Sequence, residues 1–483
     1  MTKQKTINTL IVGAGDAGRL VADDLLQAED SSINLVGFVD DNIAKQGTQP
    51  DGIPVLGSIV DIPALVKEYN VDELLIALPS QRGELIRRIV RNTAGLGLVY
   101  KTLPRAAEIL HQEYEEDYIR YIRKVQPEDL LGGEILKSDQ RGVSDYTKGK
   151  TILVTGAAGS IGSELSKQLA SYDVEKAIFY DWWENGMFEL RNKLIETHPE
   201  RDFEFVIGDI KDRERLEGIL KKYRPHTVFH AAAYKHVPLM EANATEAVKN
   251  NILGTKTVAE LAIDNGVAKF ILVSTDKAVN PTNVMGATKR AAEQIIHTLS
   301  RSQNTTTFCA VRFGNVINSN GSAIPFFLKQ IAKGGPVTVT HPDITRYFMT
   351  IPEAVHLILR AWTIGENNDL FVLDMGESVK IYELAETLIA LEGYIPNDDI
   401  SIQIIGLRPG EKLYEELLMD QEGLNATAIE KVFRTQNDAD FSLDDFLVSQ
   451  SVLLERVSRE DIEPHEIKRS LQRMVPTYRP ANQ

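Results

Sequence analysis

The segment TILVTGAAGSIGSEL, residues 151–165, decides the fold of this 483-residue chain. Its first five residues are apolar or β-branched, which is typical of a buried strand. Three glycines follow with GxxGxxG spacing, namely Gly156, Gly159 and Gly162, and a helical pattern comes directly after them. The next strand, AIFYD, ends at Asp181. A strand, a glycine loop, a helix and a second strand with a terminal acid predict a nucleotide-binding βαβ unit.

The N-terminal region repeats this plan with little shared sequence. The strand INTLIV at residues 7–12 leads into the loop GAGDAG at residues 13–18, and a second strand ends at Asp40. This pattern predicts another Rossmann-like unit over residues 1–103. Its loop binds a nucleotide or a nucleotide sugar, or it serves only as a turn, and the sequence leaves these alternatives open.

The rest of the chain is divided by composition and periodicity. Residues 104–150 are rich in charges and turn formers and are predicted to be a connector with a helix at roughly 106–124. Strands and helices alternate over residues 151–440, which predicts a doubly wound parallel sheet with a smaller substrate lobe mainly after residue 318. Residues 441–483 are predicted to be a helical tail. The fold class is therefore α/β, with two Rossmann-like doubly wound parallel-sheet domains.

Composition excludes several classes of protein. Lysine and arginine total 53 against 69 acidic residues, a net charge of −16, which argues against a general nucleic-acid binder. The single cysteine, Cys309, excludes a disulfide scaffold and a multi-cysteine zinc site. No apolar run reaches the ~20 residues of a membrane helix, and the first residues lack a signal-peptide core. We therefore expect a soluble cytoplasmic protein without a membrane span.

The second glycine loop and the strand ends after it form the predicted cofactor site. Glycines let the backbone approach a pyrophosphate, and the helix N-terminus supplies N–H donors. Asp181 is predicted to accept hydrogen bonds from a ribose diol, and since no arginine follows it directly, NAD is favoured over NADP. The small side chains of Ala231, Ala232 and Ala233 leave room for a flat cofactor. Asp209 is placed to meet an adenine amino group, or it is a helix cap.

Lys235 and His236 follow the alanines in the chain and are predicted to reach a phosphate or a sugar. The histidines His230 and His236 lack a nearby carboxylate or cysteine that would complete a ligand set, so no metal is predicted.

The sharpest signal is STDK, which closes the apolar strand KFILV at the edge where such sheets bind ligands. On the next helix, Met285 and Lys289 lie four residues apart and share one face. Short-chain dehydrogenases carry a YxxxK pair on that face, and methionine cannot transfer a proton. Either the site is inactive or proton transfer has moved to Thr275, Asp276 and Lys277. Since consecutive strand residues point to opposite faces, the last two act together only where the chain leaves strand geometry.

Together these motifs resemble the nucleoside-diphosphate-sugar 4,6-dehydratases of the polysaccharide-biosynthesis group, in the extended short-chain dehydrogenase/reductase superfamily. The chain is most similar to the UDP-N-acetylglucosamine 4,6-dehydratases of bacillosamine-type pathways. Residues 1–103 resemble the accessory Rossmann-like domain of larger members. The resemblance covers about residues 151–420 and is carried by TGAAGSIGSEL, HAAAYKHVPLME, STDKAVNPTNVMGATKR, VRFGNVINSNGSAIPFF, GGPVTVTHPDITRYFMTIPEA and GLRPGEKLYEELL.

The resemblance also implies roles for individual residues. The implied cofactor contacts are Gly156, Gly159, Ser160, Ile161, Gly162, Asp181, Asp209, Ile210 and Lys289. The implied catalytic group, with its methionine variant, is Thr275, Asp276, Lys277, Met285 and Lys289. Asn315 is implied to hold the substrate diphosphate, and the nucleotide phosphates are implied to bind Arg346 and Arg408, with Glu411 beside them.

The implied reaction oxidises sugar C4 by hydride transfer to NAD, with Thr275 orienting the C4 hydroxyl. Lys277 then removes the C5 proton, provided that its pKa is lowered, and Asp276 protonates the leaving C6 hydroxyl. The hydride returns to C6. We expect a UDP-4-keto-6-deoxy sugar with C5 retained, made by a homo-oligomer. The alternatives are a UDP-sugar C4 epimerase and a catalytically idle protein that binds nucleotide sugars for regulation.

Overall fold

The structure of the protein is a computed structural model that describes residues 6–27, 32–78, 83–103, 122–131, 140–319, 321–419, 423–435, 442–459 and 462–480. The connector helix predicted at roughly 106–124 lies outside the described residues except at its end. There the prediction is wrong, because Arg123–Lys124 forms a short strand.

The chain divides into two compact units. Unit 1 comprises Met1–Ser138, Gly321–Ile344 and Val379–Gly406, and unit 2 comprises Asp139–Asn320, Thr345–Ser378 and Leu407–Gln483. The segments 321–344 and 379–406, predicted as parts of a lobe on the second domain, thus belong to unit 1. Each unit is therefore built from three separate segments of the chain, and not from one continuous stretch.

The described strands alternate with helices along both units. In chain order they are β1 Ile7–Val12, β2 Ile33–Val39, β3 Val55–Gly57, β4 Glu73–Ile76, β5 Val99–Thr102, β6 Arg123–Lys124, β7 Thr151–Thr155, β8 Lys176–Asp181, β9 Phe203–Ile207, β10 Thr227–His230, β11 Lys269–Val273, β12 Thr307–Arg312, β13 Asn315–Val316, β14 Val337–Val339, β15 Thr345–Arg346, β16 Phe348–Met349, β17 Asp369–Leu373, β18 Val379–Lys380, β19 Ile402–Ile404, β20 Leu424–Ala426 and β21 Val432–Thr435.

The described α-helices are α1 Asp16–Gln27, α2 Ile62–Tyr69, α3 Gly83–Asn92, α4 Gln140–Thr147, α5 Ser160–Ala170, α6 Glu184–Thr197, α7 Arg213–Tyr223, α8 Val237–Ala242, α9 Ala244–Ala247, α10 Thr255–Asp264, α11 Val284–Ser302, α12 Ala323–Ile331, α13 Ile351–Ile364, α14 Ile381–Leu391, α15 Leu443–Ser458 and α16 Pro464–Met474. A π-helical segment, Val248–Gly254, joins α9 to α10, and short 3₁₀ turns lie at Pro50–Gly52, Ile59–Asp61, Pro127–Leu130 and Asp276–Ala278. Among the described helices, none is long and apolar enough to cross a bilayer.

Unit 1 contains a six-stranded sheet in the order β3-β2-β1-β4-β5-β6, parallel except at the β5–β6 pair. Its first strand occupies the residues that the sequence predicts. Asp40 follows β2 and accepts a hydrogen bond from the Ala14 amide of the glycine loop at 2.9 Å. Lys45 Nζ lies 2.9 Å from the same carboxylate oxygen. The Rossmann-like fold of this region is confirmed, and its ligand stays a prediction.

Unit 2 contains a nine-stranded sheet in the order β20-β21-β17-β12-β11-β10-β7-β8-β9, whose neighbours pair in parallel up to β17. Strands β20 and β21 extend that edge antiparallel. The order reverses between β7 and β10, the switch point at which doubly wound sheets bind ligands beyond the carboxyl ends of their strands. The predicted α/β doubly wound fold is therefore confirmed.

The sheet of unit 2 is buried on both faces, as a parallel sheet requires. On one face, apolar side chains of β7, β10, β11 and β12 pack with α7, α10 and α11. On the other, Trp362 of α13 is fully buried against Phe229, with ring centroids 5.2 Å apart. The C-terminal helices α15 and α16 cover the remaining apolar side of α11 through Phe446, Leu453 and Leu471. This packing fixes the strand ends that carry the site.

Candidate active site

The glycine loop of unit 2 is shaped by close backbone contact at the switch point. Gly156 has φ +70°, and a Cβ there would lie 2.5 Å from the Ala232 amide nitrogen. A Cβ on Gly162 would lie 1.9 Å from the Gly156 carbonyl oxygen. Glycine is required at both positions, because any side chain would collide with backbone. The Ala231–Ala233 segment therefore lies directly on the loop, at the N-terminus of α5.

Asp181 at the end of β8 is bonded to this loop. Its Oδ2 accepts the Ala158 amide at 2.9 Å, and its Oδ1 accepts the Trp183 amide at 2.9 Å. Burial raises the pKa of Asp181, against the opposing effect of these hydrogen bonds. A carboxylate has about four acceptor positions, so these backbone bonds leave acceptor capacity for a ribose diol. The predicted cofactor role of Asp181 fits this geometry and stays a prediction.

The other predicted cofactor residues are held in different ways. Asp209 accepts the Lys211 amide at 2.9 Å, while the helix cap is provided by Asp212, whose carboxylate accepts the Arg215 amide at 3.1 Å. The alternative assignment of Asp209 as the cap is therefore wrong. Ile210 is buried in the apolar core.

Three polar residues near the end of β10 differ sharply in exposure. Lys235 and His236 are exposed just before α8, and their substrate roles stay predictions. His230 is fully buried between Thr155 and Thr255, with ring nitrogens 2.7 Å and 3.0 Å from the two hydroxyl oxygens. Burial lowers the pKa of His230 to about 3, so the ring is neutral and structural. Within the described ranges, no three His, Cys, Asp or Glu side chains converge in a way that could hold a metal ion.

The STDK segment leaves strand geometry after Thr275, whose backbone is still extended. β11 ends at Val273, and Asp276–Ala278 forms a 3₁₀ turn capped by Thr275. Thr275 Oγ1 donates to Asp276 Oδ1 at 2.8 Å, and Lys277 Nζ lies 3.1 Å from the same oxygen. The turn thus meets the geometric condition under which Asp276 and Lys277 can act together. Asp276 is 1% exposed, so the pair is not a solvated surface pair.

Lys277 is held by acceptors on three sides. Besides Asp276, its Nζ lies 3.0 Å from Asn315 Oδ1 and 3.5 Å from Glu415 Oε1. Burial lowers the pKa of Lys277, but the charges of Asp276 and Glu415 raise it by more, so it ends above its usual value. The lowered pKa on which the base role of Lys277 was made to depend is therefore not found in the resting protein. Asn315, predicted to hold the diphosphate, contacts Lys277 here.

The predicted phosphate-binding arginines converge on Glu411. Arg408 Nη2 lies 3.1 Å from Glu411 Oε1, and Arg346 Nη2 lies 3.4 Å from the same oxygen. Burial raises the pKa of Glu411, but its hydrogen bonds to Arg408 and the arginine charges lower it below its usual value. Arg408 is 56% exposed and Arg346 is 9% exposed, so one guanidinium faces solvent and the other lines the interior.

The loop that carries Arg408 and Glu411 is bonded through Gly410 to the residues that lead into α11. Gly410 has φ +78°, and its carbonyl accepts hydrogen bonds from Thr282 Oγ1 at 3.0 Å and Asn283 Nδ2 at 3.1 Å. Asn283 in turn caps α11, since its Oδ1 accepts the Gly286 amide at 2.7 Å. One residue therefore links the loop to the helix that bears Met285 and Lys289.

Met285 and Lys289 occupy different environments on α11. Met285 is buried in the apolar cluster formed with the C-terminal helices. Lys289 Nζ donates to the Val273 carbonyl at 2.7 Å, just before the STDK turn. Burial lowers the pKa of Lys289 to about 8, with the Glu293 charge opposing the decrease. The roles predicted for both residues stay predictions.

Two buried glutamates were missed by the sequence analysis. Glu415 belongs to the quoted segment GLRPGEKLYEELL, but nothing in its spacing places it beside Lys277. Glu293 lies one helical turn after Lys289 and accepts hydrogen bonds from Ser274 at 2.6 Å and Arg312 at 2.8 Å. The i, i+4 spacing was the available signal for Glu293, since it puts both residues on one helix face.

The fold and this site define a doubly wound α/β protein with a glycine loop at the switch point of its sheet and an acid–lysine pair near a strand end. Residues 152–437 match the sequence model of the family described as polysaccharide biosynthesis protein, and residues 1–97 match that of a CoA-binding domain. Because the first match spans more than half of the chain, the protein belongs to the polysaccharide biosynthesis protein family. The predicted family membership is thereby confirmed.

The relatives with printed names include a 4,6-dehydratase, which is the predicted type of enzyme, and a 4-epimerase, which is the alternative. The chain is 45% identical to the capsular polysaccharide biosynthesis protein CapD of Staphylococcus aureus, covering 89% of this chain and 72% of that protein. It is 37% identical to a UDP-N-acetylglucosamine 4,6-dehydratase (inverting) of Campylobacter jejuni, covering 57% and 79%. It is 36% identical to a UDP-glucose 4-epimerase of Rickettsia canadensis, covering 60% and 83%. Identity alone therefore does not separate dehydration from epimerisation.

Proposed function

We propose that the protein is an NAD-dependent nucleotide-sugar 4,6-dehydratase that converts UDP-N-acetylglucosamine to a UDP-4-keto-6-deoxy sugar for polysaccharide synthesis. The observation that carries this proposal is the contact between buried Asp276 and partly buried Lys277, 3.1 Å apart on the turn that follows β11. Dehydration needs an acid for the C6 hydroxyl and a base for C5, and the pair supplies both types of group. Epimerisation at C4 requires neither.

The residues around the glycine loop suit a dinucleotide. Gly156 lets the loop lie directly against the Ala232 backbone, and the N-terminus of α5 offers backbone N–H groups to a pyrophosphate. Asp181 keeps acceptor positions for a ribose diol. When bound there, the nicotinamide supplies hydride acceptance from C4 and return to C6. The preference for NAD over NADP rests on the absence of an arginine directly after Asp181.

The protein's own groups then handle the protons. Thr275 orients the C4 hydroxyl, and its bond to Asp276 Oδ1 carries the hydroxyl proton to that carboxylate. Lys277 removes the proton from C5, and Asp276 protonates the C6 hydroxyl as it leaves. Arg346 and Arg408 bind the nucleotide phosphates once these displace their shared partner Glu411. The proton at C5 is restored by Lys277.

The alternatives each have one supporting observation. The Rickettsia relative named as a UDP-glucose 4-epimerase favours a C4 epimerase, and Met285 at the tyrosine position favours a binding protein that has lost catalysis.

Retention at C5 rests on the methionine variant, whereas the Campylobacter relative is named as inverting. We also propose a homo-oligomer in the cytoplasm, which light scattering and cell fractionation test.

Proton NMR of the protein with UDP-N-acetylglucosamine in deuterated water tests the proposal. The expected result is a new C6 methyl signal with deuterium at C5, and the coupling pattern at C5 reports retention or inversion. UDP-N-acetylgalactosamine without a methyl signal would identify an epimerase. An unchanged spectrum from protein with bound NAD would support the binding protein.

A further inference from the structure

Glu415 is a buried carboxylate beside Lys277 that the proposed reaction has not used. Its side chain is 4% exposed, and Oε1 lies 3.5 Å from Lys277 Nζ and 3.7 Å from Arg346 Nε. The second oxygen, Oε2, is buried and accepts no hydrogen bond from any group in the described part of the chain. A buried polar atom without a partner is costly, so its presence here calls for an explanation.

Lys277 cannot act as a base in its resting state. Its ammonium group donates hydrogen bonds to Asp276 Oδ1 and Asn315 Oδ1 and forms an ion pair with Glu415 Oε1 at 3.5 Å. Because the pKa of Lys277 lies above its usual value, the amine is protonated at neutral pH. On the proposed function, a neighbouring group must accept one proton from Lys277 before C5 is deprotonated.

Asp276 is the nearer carboxylate, but the reaction gives it another proton to receive. Thr275 Oγ1 donates to Asp276 Oδ1 at 2.8 Å, so the C4 hydroxyl proton arrives along that bond. Among the described residues, the other carboxylate in contact with Lys277 is Glu415. Burial raises the pKa of Glu415 above its usual value, with Asp276 adding to the increase and Lys277, Arg346 and Lys412 opposing it. A raised pKa favours uptake of a proton.

We infer that Glu415 is a positioning residue that holds Lys277 at rest and accepts its proton during turnover. The proton moves from Nζ to Oε1 and leaves a neutral amine and a neutral carboxylic acid. The amine takes the C5 proton, the C5–H electron pair forms the C5–C6 double bond, and the C6 hydroxyl leaves as water with the Asp276 proton. Lys277 returns its proton to C5 as the hydride reaches C6, and Glu415 then gives its proton back. This inference rests on the proposed function.

The contact with Arg346 connects this transfer to substrate binding. Glu415 Oε1 is shared by Lys277 and Arg346, at 3.5 Å and 3.7 Å. A diphosphate bound to Arg346 competes for that guanidinium and leaves Oε1 to Lys277. Contacts in ligand-free active sites commonly shorten when substrate binds, so the 3.5 Å separation is compatible with transfer in the complex.

Glu415→Gln and the matched control Glu416→Gln test the inference in the whole chain. Glutamine keeps the size and an acceptor oxygen but takes up no proton. Glu416 is 46% exposed and pairs with Lys412 at 2.7 Å, so its substitution changes the same loop without touching Lys277. Absorbance of reduced nicotinamide in a single turnover reports C4 oxidation. NMR in deuterated water reports C5 exchange and the C6 methyl product.

We expect Glu415→Gln to keep C4 oxidation within about threefold of wild type and to lose dehydration by about 100-fold or more. Its residual rate should rise with pH more steeply than that of wild type, because only solvent then removes the Lys277 proton. Glu415→Asp should recover part of the dehydration, and Glu416→Gln should keep both steps.

Equal losses of oxidation and dehydration in Glu415→Gln would show a merely structural role and overturn the inference. Dehydration within about threefold of wild type would overturn it as well. If Glu415→Gln does not fold, Glu415→Asp is judged by whether its defect is confined to dehydration. If the wild-type protein makes no 6-deoxy product, the proposed function is wrong. This inference, which depends on that function, is then wrong as well.

Discussion

Replacing Glu293 by glutamine should destabilise unit 2 by about 3 kcal/mol at neutral pH. The carboxylate is 5% exposed and bonded to Arg312, Arg290 and Ser274. Burial raises the pKa of Glu293, but these partners lower it from 4.5 to about 2. At roughly 1.4 kcal/mol for each pKa unit, the ionised form contributes about 3 kcal/mol. Removing one partner of a buried ion pair has a similar cost, about 3–5 kcal/mol.

The sign of the pH dependence follows from the lowered pKa. The stabilisation is complete above the unfolded value of 4.5 and is lost as the pH falls through the folded value of about 2. The deficit of Glu293→Gln should therefore be largest near neutral pH and shrink below about pH 4.5.

Hydrogen exchange of the β11 and β12 amides, measured at pH 7 and at pH 4, gives the opening free energy of this region. The matched control is Glu196→Gln, an exposed ion pair with Lys193 at 3.3 Å, which should change stability by less than about 1 kcal/mol. A deficit below about 1 kcal/mol in Glu293→Gln, or one that grows as the pH falls, would refute the assignment of a buried ionised carboxylate.

Three further substitutions probe separate parts of the site. Asp276→Asn should reduce 6-deoxy product by about 10²-fold or more, measured by NMR, and full turnover would refute its role as the acid. Gly156→Ala should reduce the nicotinamide that purifies with the protein, because its Cβ meets the Ala232 amide; unchanged cofactor content in the extracted protein would contradict this. Arg408→Ala should raise KM for the UDP-sugar about tenfold with kcat nearly unchanged, since an exposed charged contact is lost; steady-state kinetics in which only kcat falls would argue against phosphate binding.

Much of the fold was predictable because its signals are local. The strand TILVT, its glycine loop and the acid at the end of AIFYD lie within a short stretch of chain, and each is decided by its own residues. The carboxyl ends of parallel strands meet at one edge of the sheet. The sequence analysis could therefore bring Gly156, Asp181 and the STDK turn to the same side of unit 2.

The charge environment of the site was not predictable in the same way. Lys277 meets Asn315 and Glu415, residues 38 and 138 positions away, through turns whose course no local pattern defines. The sequence analysis could state a lowered pKa of Lys277 only as a condition; burial does lower this pKa, but the charges of Asp276 and Glu415 raise it by more. The shared use of Glu411 by Arg346 and Arg408 also depends on the Gly410 turn packing on Asn283, a long-range contact.

On the proposed function, Met285 accounts for a proton path on the STDK turn, because a thioether cannot transfer a proton. Its side chain packs into the apolar cluster with α15 and α16, so the position of the proton-transferring tyrosine in short-chain dehydrogenases is filled here by an apolar residue, while Lys289 on the same helix still contacts the end of β11. On the proposed function, the C4 hydroxyl proton leaves through Thr275 and arrives on Asp276, the group that later protonates the C6 hydroxyl. One hydrogen bond therefore serves both oxidation and elimination. An epimerase also passes the C4 hydroxyl proton to a base, but it loses no C6 hydroxyl, so on the proposed function only dehydration uses the second step of this relay.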